Sequence, residues 1–272
     1  MDSLRIGDIV TRRSYGGDIH FKIADISGKS NGSRSYLLKG IIFRILADSD
    51  EEDLEWRSTE QEQRELLQNL SFNGIHKQSR GGLLPIPAFR RPEGRAGTIL
   101  HIDSSSEFTN MCKNYYKDAR LKVYTHVIPE SEQPGRIRSL LASTNADILI
   151  VTGHDGLKKN ATKMNSLDSY RNSRYYIQSV VEARKYQPDK DKLCVFSGAC
   201  QSYYEGIMEA GANFASSPGR ILIHALDPAK VGDRVALTDS RIYVTADQIA
   251  RLTQSGSKGI GGIKSKGHYV VN

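Results

Sequence analysis

Cysteine is scarce in this chain. The three present, Cys112, Cys194 and Cys200, cannot build a disulfide framework and have no CxxC spacing for zinc. That usage fits a reducing compartment. Long apolar runs are missing as well, and nothing approaches the ~18–20 apolar residues of a membrane-spanning helix. The opening MDSLRIGDIV carries an acid and lacks an apolar h-region, so no secretory signal and no membrane association are expected. There is neither a P-loop nor a GxGxxG after a strand, which ranks nucleotide enzymes low, and no internal repeat. The net charge of +7 favours acidic partners. Its basic residues are dispersed, apart from a looser cluster between Lys77 and Arg95. No recognition motif accompanies them, so no nucleic-acid partner is expected.

What is present suffices for a real core. The chain has 272 residues, 38% of them hydrophobic and 25% charged, enough for one large domain or two modest ones. Residues 1–50 read as short strands (LRIGDIVTRR, IHFKIADIS, SRSYLLKG, IIFRILAD) separated by Gly/Ser/Asn clusters. That spacing predicts a small antiparallel barrel, and Ile6-Gly7-Asp8-Ile9-Val10 resembles the first strand of an SH3-like barrel. Residues 51–97 change character. The stretch 48–70 reads as a solvated helix with a thin stripe of Leu54, Leu66, Leu67 and Leu70. Residues 71–97, rich in Pro, Gly and Arg, read as a basic linker.

From Thr98 to the end at 272, apolar strands alternate with helices. Strands are expected at 98–102, 122–127, 147–152, 192–197, 213–216 and 220–225. Helices are expected at 108–119, 137–143, 169–185 and 203–210, with one more helix and a glycine-rich tail over 238–269. This is the pattern of an α/β domain with a mainly parallel sheet flanked by helices.

Ligand sites in such sheets lie at the carboxyl ends of the strands. Two strand ends carry chemistry: Ile148-Leu-Ile-Val-Thr-Gly153-His154-Asp155-Gly156, and Leu193-Cys-Val-Phe-Ser-Gly198-Ala199-Cys200-Gln201-Ser202. The small residues let the chain turn sharply. His154 and Cys200 would then face one cleft, with the imidazole and a following helix start raising the thiolate fraction. Amides of Gly153 and Cys200 are the candidate oxyanion donors. Cys194, mid-strand, and Cys112 read as buried small hydrophobes. His101, His126, His224 and His268 read as structural or exposed. His154 with Asp155 and Cys200 could alternatively hold a metal, but no second ligand pair is evident, and neither metal nor cofactor is expected.

Two strands ending in Gly-His and Gly-Ala-Cys, in that order, resemble the caspase-hemoglobinase fold of caspases, legumains, gingipains and clostripain. The segments ILIVTGHDG, FSGACQSYYEGIMEAGANFASSPGR, IHALDP, IGDIVTRRSYGGDIHFKI and LADSD further resemble the YabG sporulation protease family. The likeness spans nearly the whole chain and is weakest over 51–97. The resemblance implies a cysteine endopeptidase of sporulation. It would trim spore coat and other spore proteins after arginine, in the mother cell and spore coat of an endospore-forming bacterium. The family's catalytic pair falls on His154 and Cys200.

Arginine specificity requires a buried carboxylate, since a guanidinium is best met by a bidentate acid. Asp103, at the end of the first strand of the α/β domain, is the first candidate. It could equally cap the following helix. Asp227 is the second candidate. Asp155 could orient the imidazole, or equally face solvent. Ser216 and Ser217 could line the pocket and pair with substrate backbone as an added strand, or be plain turn residues. Arg80, Arg90, Arg91 and Arg95 could make the linker a site of self-cutting, or the linker could be an uncut tether. Two other classes stay open. One is a barrel-centred binding or scaffold protein of the spore coat without peptidase activity. The other is a different Cys200 enzyme, such as an amidohydrolase.

Overall fold

A computed structural model describes residues 3–29, 32–58, 93–159 and 161–271. The chain divides into two compact units. One comprises residues 1–42 and 46–92; the other comprises Phe43–Ile45 and residues 93–272.

The first unit carries an antiparallel sheet of β1 (Ile9–Arg12), β2 (His20–Gly28), β3 (Arg34–Gly40), β4 (Leu46–Asp50) and β5 (Leu54–Ser58), in the order β4-β3-β2-β1-β5. Alternate residues point inward, as a half-solvated sheet requires: Phe21 and Ile23 from β2, Tyr36 and Leu38 from β3, all buried. Two expectations change here. The stretch beginning at Leu54 is a strand rather than a helix: Leu54 buries itself while Arg12, Thr11 and Val10 of β1 pair with it and its successors. The fourth expected strand is also split, because only Leu46 onward joins this sheet and residues 43–45 belong to the second unit. The remainder of the expected helix, from residue 59, and Arg80, Arg90 and Arg91 of the expected linker lie outside the described residues.

The second unit is α/β. After β6 (Gly94–Arg95) come β7 (Ile99–Asp103), β8 (Val123–Val127), β9 (Ile148–Val151), β10 (Cys194–Ser197), β11 (Phe214–Ser216), β12 (Tyr243–Val244), β13 (Ile260–Gly262), β14 (Ser265–Lys266) and β15 (Val270–Val271). The main sheet runs β13-β11-β10-β9-β7-β8. Its strands are parallel except β13, which runs antiparallel to β11. Helices cover both faces. Leu100, Ile102, Leu149, Val151 and Val195 meet Ile137 and Leu141 of helix Gln133–Thr144 and Tyr176, Val180 and Ala183 of helix Ser173–Tyr186. On the opposite face Ile99 and Ile150 reach Gly232 of helix Asp227–Leu237. Burial on both sides explains why these strands are continuous apolar runs in the sequence.

The chain passes from β7 to β8 on one side, then crosses to β9 on the other. The strand order therefore reverses at β7, and the crevice opens beyond the carboxyl ends of β7 and β9, where such sheets place their ligands. The expected strand at 220–225 is not a sheet member; among the described residues its strand-like pairing is a bridge from His224 to Phe43. Helix Asp227–Leu237, opened by Pro228 in its first turn, is an element the sequence pattern did not single out. The C-terminal stretch is mostly short strands, with helices at Ala246–Ala250 and Gly256–Gly259.

Candidate active site

Asp103, His154 and Cys200 emerge from the carboxyl ends of β7, β9 and β10. The turn carrying Cys200 is tight. Gly198 takes φ +112°, and a side chain there would run into Ser216 Oγ. Gln201, just after Cys200, is also left-handed, at φ 52°. It is held by its amide donating to Ser217 Oγ at 3.0 Å and by its Oε1 accepting from the Leu157 amide at 3.2 Å. Thr152 Oγ1 donates to the Gly198 carbonyl at 2.8 Å, tying the two turns together.

His154 is 2% exposed. Its main chain is clamped on both sides. The amide donates to Glu130 Oε1 at 2.8 Å, and the carbonyl accepts from Asn172 Nδ2 at 2.8 Å and from the Tyr176 hydroxyl at 3.1 Å. The ring stacks on Phe108, with centroids 5.1 Å apart. Gly153 has no room for a larger residue, since a Cβ would lie 2.5 Å from Glu130 Oε1 and 2.6 Å from Ser104 Oγ.

Cys200 is fully buried. The Ile223 amide donates to its Sγ at 3.0 Å. Burial pushes the thiol up to about 12, against the pull of the Ile223 amide and the Arg44 guanidinium. This differs from the expected activated thiolate: desolvation outweighs the groups that favour negative charge. Burial likewise pushes Cys112 and Cys194 up to about 12.

The crevice is occupied by the chain itself. The carbonyl of Arg44 accepts from two amides, those of Cys200 and Asp155, each at 3.2 Å. The Arg44 amide donates to the Ile223 carbonyl at 3.1 Å. Phe43 bridges antiparallel to His224, and Ile45 bridges parallel to Asp155. The guanidinium is wholly buried. Nη1 donates to Asp103 Oδ2 at 2.6 Å and Nη2 to the Ala225 carbonyl at 2.7 Å. Its carbon stands 4.8 Å from the centre of the Phe108 ring, in cation–π contact, and Nη2 lies 3.8 Å from Cys112 Sγ. Burial pushes the Asp103 carboxyl up, but the adjacent guanidinium outweighs that and holds it below the usual carboxylate range.

Each expected site residue now has a place. Asp103 meets the Arg44 guanidinium and also accepts from the Ser105 amide at 2.9 Å, so the guanidinium's partner and the turn anchor are one residue. The helix cap itself is Ser105, which accepts from the Phe108 amide. Asp227 is turned elsewhere, accepting from the Gln254 and Ser255 amides and the Ser255 hydroxyl. The second amide on the Arg44 oxygen is that of Asp155, not Gly153, because the chain turns past His154 before its N–H faces the crevice. The Asp155 carboxylate accepts from the Gly156 and Asn172 amides and the Ser173 and Ser202 hydroxyls rather than from the imidazole, bracing the two turns. Ser216 and Ser217 do not pair with an added strand. β11 has β10 on one edge and β13 on the other, so no edge is free, and the serines bond to Ala199, Gln201 and Ile221. The residues that do pair with the inserted segment are Ile223 and His224. The short helix Tyr204–Glu209 starts four residues beyond Cys200, and loop amides, not this helix, meet the Arg44 oxygen.

Sequence reasoning missed Arg44, Phe108, Cys112 and Glu130. Phe108 and Cys112 stand one helical turn apart on helix Ser106–Asp118 and share its buried face, which was legible as periodicity but not as a pocket wall. Arg44 had one available signal, a cation inside an otherwise apolar stretch (IIFRIL). Among the described residues, no group of three His, Cys, Asp or Glu side chains could hold a metal ion, and no helix is long and apolar enough to cross a membrane.

The family model described as YabG peptidase U57 matches residues 5–272. The sporulation-specific protease YabG of Bacillus subtilis (strain 168) is 34% identical over 276 residues, which is 97% of this chain and 95% of that protein.

Proposed function

Since the chain belongs to the YabG peptidase family and is a peptidase, we propose that it is a cysteine endopeptidase cutting after arginine, with Cys200 as nucleophile and His154 as acid and base. The observation that carries this reading is Arg44. Its carbonyl oxygen rests on two convergent amides while its guanidinium meets a buried carboxylate, the arrangement a scissile arginyl bond needs.

In the reaction the Cys200 thiol gives its proton to His154 as Sγ adds to the carbonyl carbon of the arginine. The oxyanion is held by the Cys200 and Asp155 amides. The imidazolium passes the proton to the leaving amine, and the carbon–nitrogen bond breaks. Water, deprotonated by His154, then cleaves the thioester and restores the thiol. The high thiol pKa calls for proton transfer concerted with attack rather than a standing thiolate. Glu130, Asn172 and Tyr176 act as positioning residues by fixing the His154 main chain. Asp103 reads the guanidinium, with Phe108 and the Ala225 carbonyl completing the pocket.

Protein substrates follow from peptidase activity. We assign them to the spore, coat proteins included, and place the enzyme in the mother cell and coat; the relative's sporulation-specific name and the sequence resemblance support this. A peptidase of this specificity also cuts its own chain where arginine is presented.

The test is a panel of fluorogenic peptides with Arg, Lys, Asn or Asp before the scissile bond. Wild type is expected to turn over the Arg peptide, and Cys200→Ala and His154→Ala to lose it. Turnover that survives Cys200→Ala, or none with any peptide, would reject the reading.

A further inference from the structure

We infer that the bond between Arg44 and Ile45 is a self-cleavage site, and that Phe43–Ile45 is the enzyme's own first substrate, seated in the active site until it is cut. The inference rests on the proposed cysteine peptidase reading and adds to it the site and the regulation.

Three independent features make Arg44 substrate-like rather than a core ion pair. The first is the backbone. Its oxygen takes both available amides, and its N–H bonds to Ile223, so the segment runs as an added strand along 223–224. A structural arginine needs only its guanidinium placed. The second is the side chain, which reaches Asp103, the acid at the end of β7, and stacks on Phe108. The third is topological. Residues 43–45 are the last three of the five that connect β3 to β4, yet they belong to the second unit. The two strands they join pair from Ser35–Asp50 to Lys39–Leu46, so a hairpin connection has been drawn out into the crevice instead of closing over its own sheet.

The chemistry balances without a co-reactant other than water. Cys200 Sγ bonds to the Arg44 carbonyl carbon, and the bond to the Ile45 nitrogen breaks. The thiol proton reaches that nitrogen through His154, leaving Ile45 with a free amine. Hydrolysis of the thioester ends one piece in the Arg44 carboxylate. While the segment is seated, no other arginyl peptide can enter, because Asp103 and both amides are taken. After the cut the two pieces remain associated through the pairing of β3 with β4 and of β1 with β5, so the nick escapes detection under native conditions.

The experiment is intact mass and N-terminal sequencing, under denaturing conditions, of full-length wild type and Cys200→Ala, alongside turnover of the Arg peptide. Wild type is expected to show a new N-terminus at Ile45 and Cys200→Ala none. The fraction cut at a given time should not change over a tenfold dilution, since the segment is already bound in the same chain. Arg44→Lys retains a cation beside Asp103 and so tests the site in a folded protein. Its cut at this bond should slow by roughly tenfold or more, because an ammonium cannot span both Asp103 and the Ala225 carbonyl as the two ends of the guanidinium do. Wild type that turns over the Arg peptide while its Arg44–Ile45 bond stays whole would overturn the inference and leave the peptidase reading standing. A cut at this bond in Cys200→Ala would also overturn it. A wild type with no turnover of any peptide would instead remove the peptidase reading.

Discussion

Arg44 and Asp103 form an ion pair with both side chains at 0% exposure. Such a pair contributes little net stability, but breaking it from one side leaves an uncompensated buried charge and costs about 3–5 kcal/mol. Asp103→Asn is therefore expected to lower stability by that order in urea melts. Asp103→Asn combined with Arg44→Gln should recover most of it. The same Asp103→Asn change should reduce kcat/KM for the Arg peptide by roughly a hundredfold while narrowing the gap between Arg and uncharged peptides. Equal losses for all peptides would show that Asp103 supports the fold alone. Both halves of the test are needed because the residue has two jobs, accepting from the Ser105 amide and meeting the guanidinium.

At the scale of elements, the proposed catalytic apparatus is a property of strand ends. Strands β7, β9 and β10 are short and buried on both faces, so their side chains cannot move far without opening the core. The turns beyond β9 and β10 are braced: Gly198 sits at positive φ, Gln201 is tied to Ser217, and Thr152 is tied to Gly198. Gly198→Ala should cost about 1–3 kcal/mol from backbone strain, before the clash with Ser216 Oγ is counted. Pairing it with Ser216→Ala should return the clash component but not the strain, and activity should stay low in both because Cys200 shifts with the turn. Full recovery in the double variant would mean that the positive φ is not required. Strand β5 carries a different lesson. Local composition around Leu54 favours helix, yet Leu54 joins the sheet because β1 offers an edge to pair with, and ladder bonds plus one buried leucine outweigh a weak local propensity.

At the scale of the whole molecule, acid titration reports on the brace between the His154 and Cys200 turns. Burial pushes Asp155 up to about 6, against the donors that favour its charged form. Its unfolded value is near the ordinary ~3.9. Between these pH values the folded protein holds a proton that the unfolded chain has lost, so stability falls as pH rises from about 4 to about 6. A shift of this size corresponds to about 3 kcal/mol. Asp155→Asn removes the titration, and its stability relative to wild type should therefore rise across that window. The check is a set of chemical melts at several pH values. Parallel pH profiles for the two proteins would contradict the assignment. Asp103 acts in the opposite sense and at lower pH. Its folded pKa is depressed, so its contribution is present above the unfolded value and lost as pH falls through the folded one.

The sequence by itself determined the α/β class, most strand and helix positions from Thr98 to Ser216, and the two turns that carry His154 and Cys200. These are local properties. Period, apolar run length and small residues at strand ends are written in contiguous residues, and so are the motifs that mark the family. Asp103 was legible for the same reason, standing at a strand end on the same sheet edge as the His154 and Cys200 turns. Only the tertiary structure decided that Asp155 supplies the second amide, that Ile223 and His224 rather than Ser216 and Ser217 pair with an added strand, and that Asp227 braces a distant turn. It alone also brought Arg44 to Asp103. These are long-range facts. Which amide faces a crevice depends on how a turn rotates, which strand edge is free depends on sheet order, and which cation fills an acidic pocket depends on a segment distant in sequence arriving there.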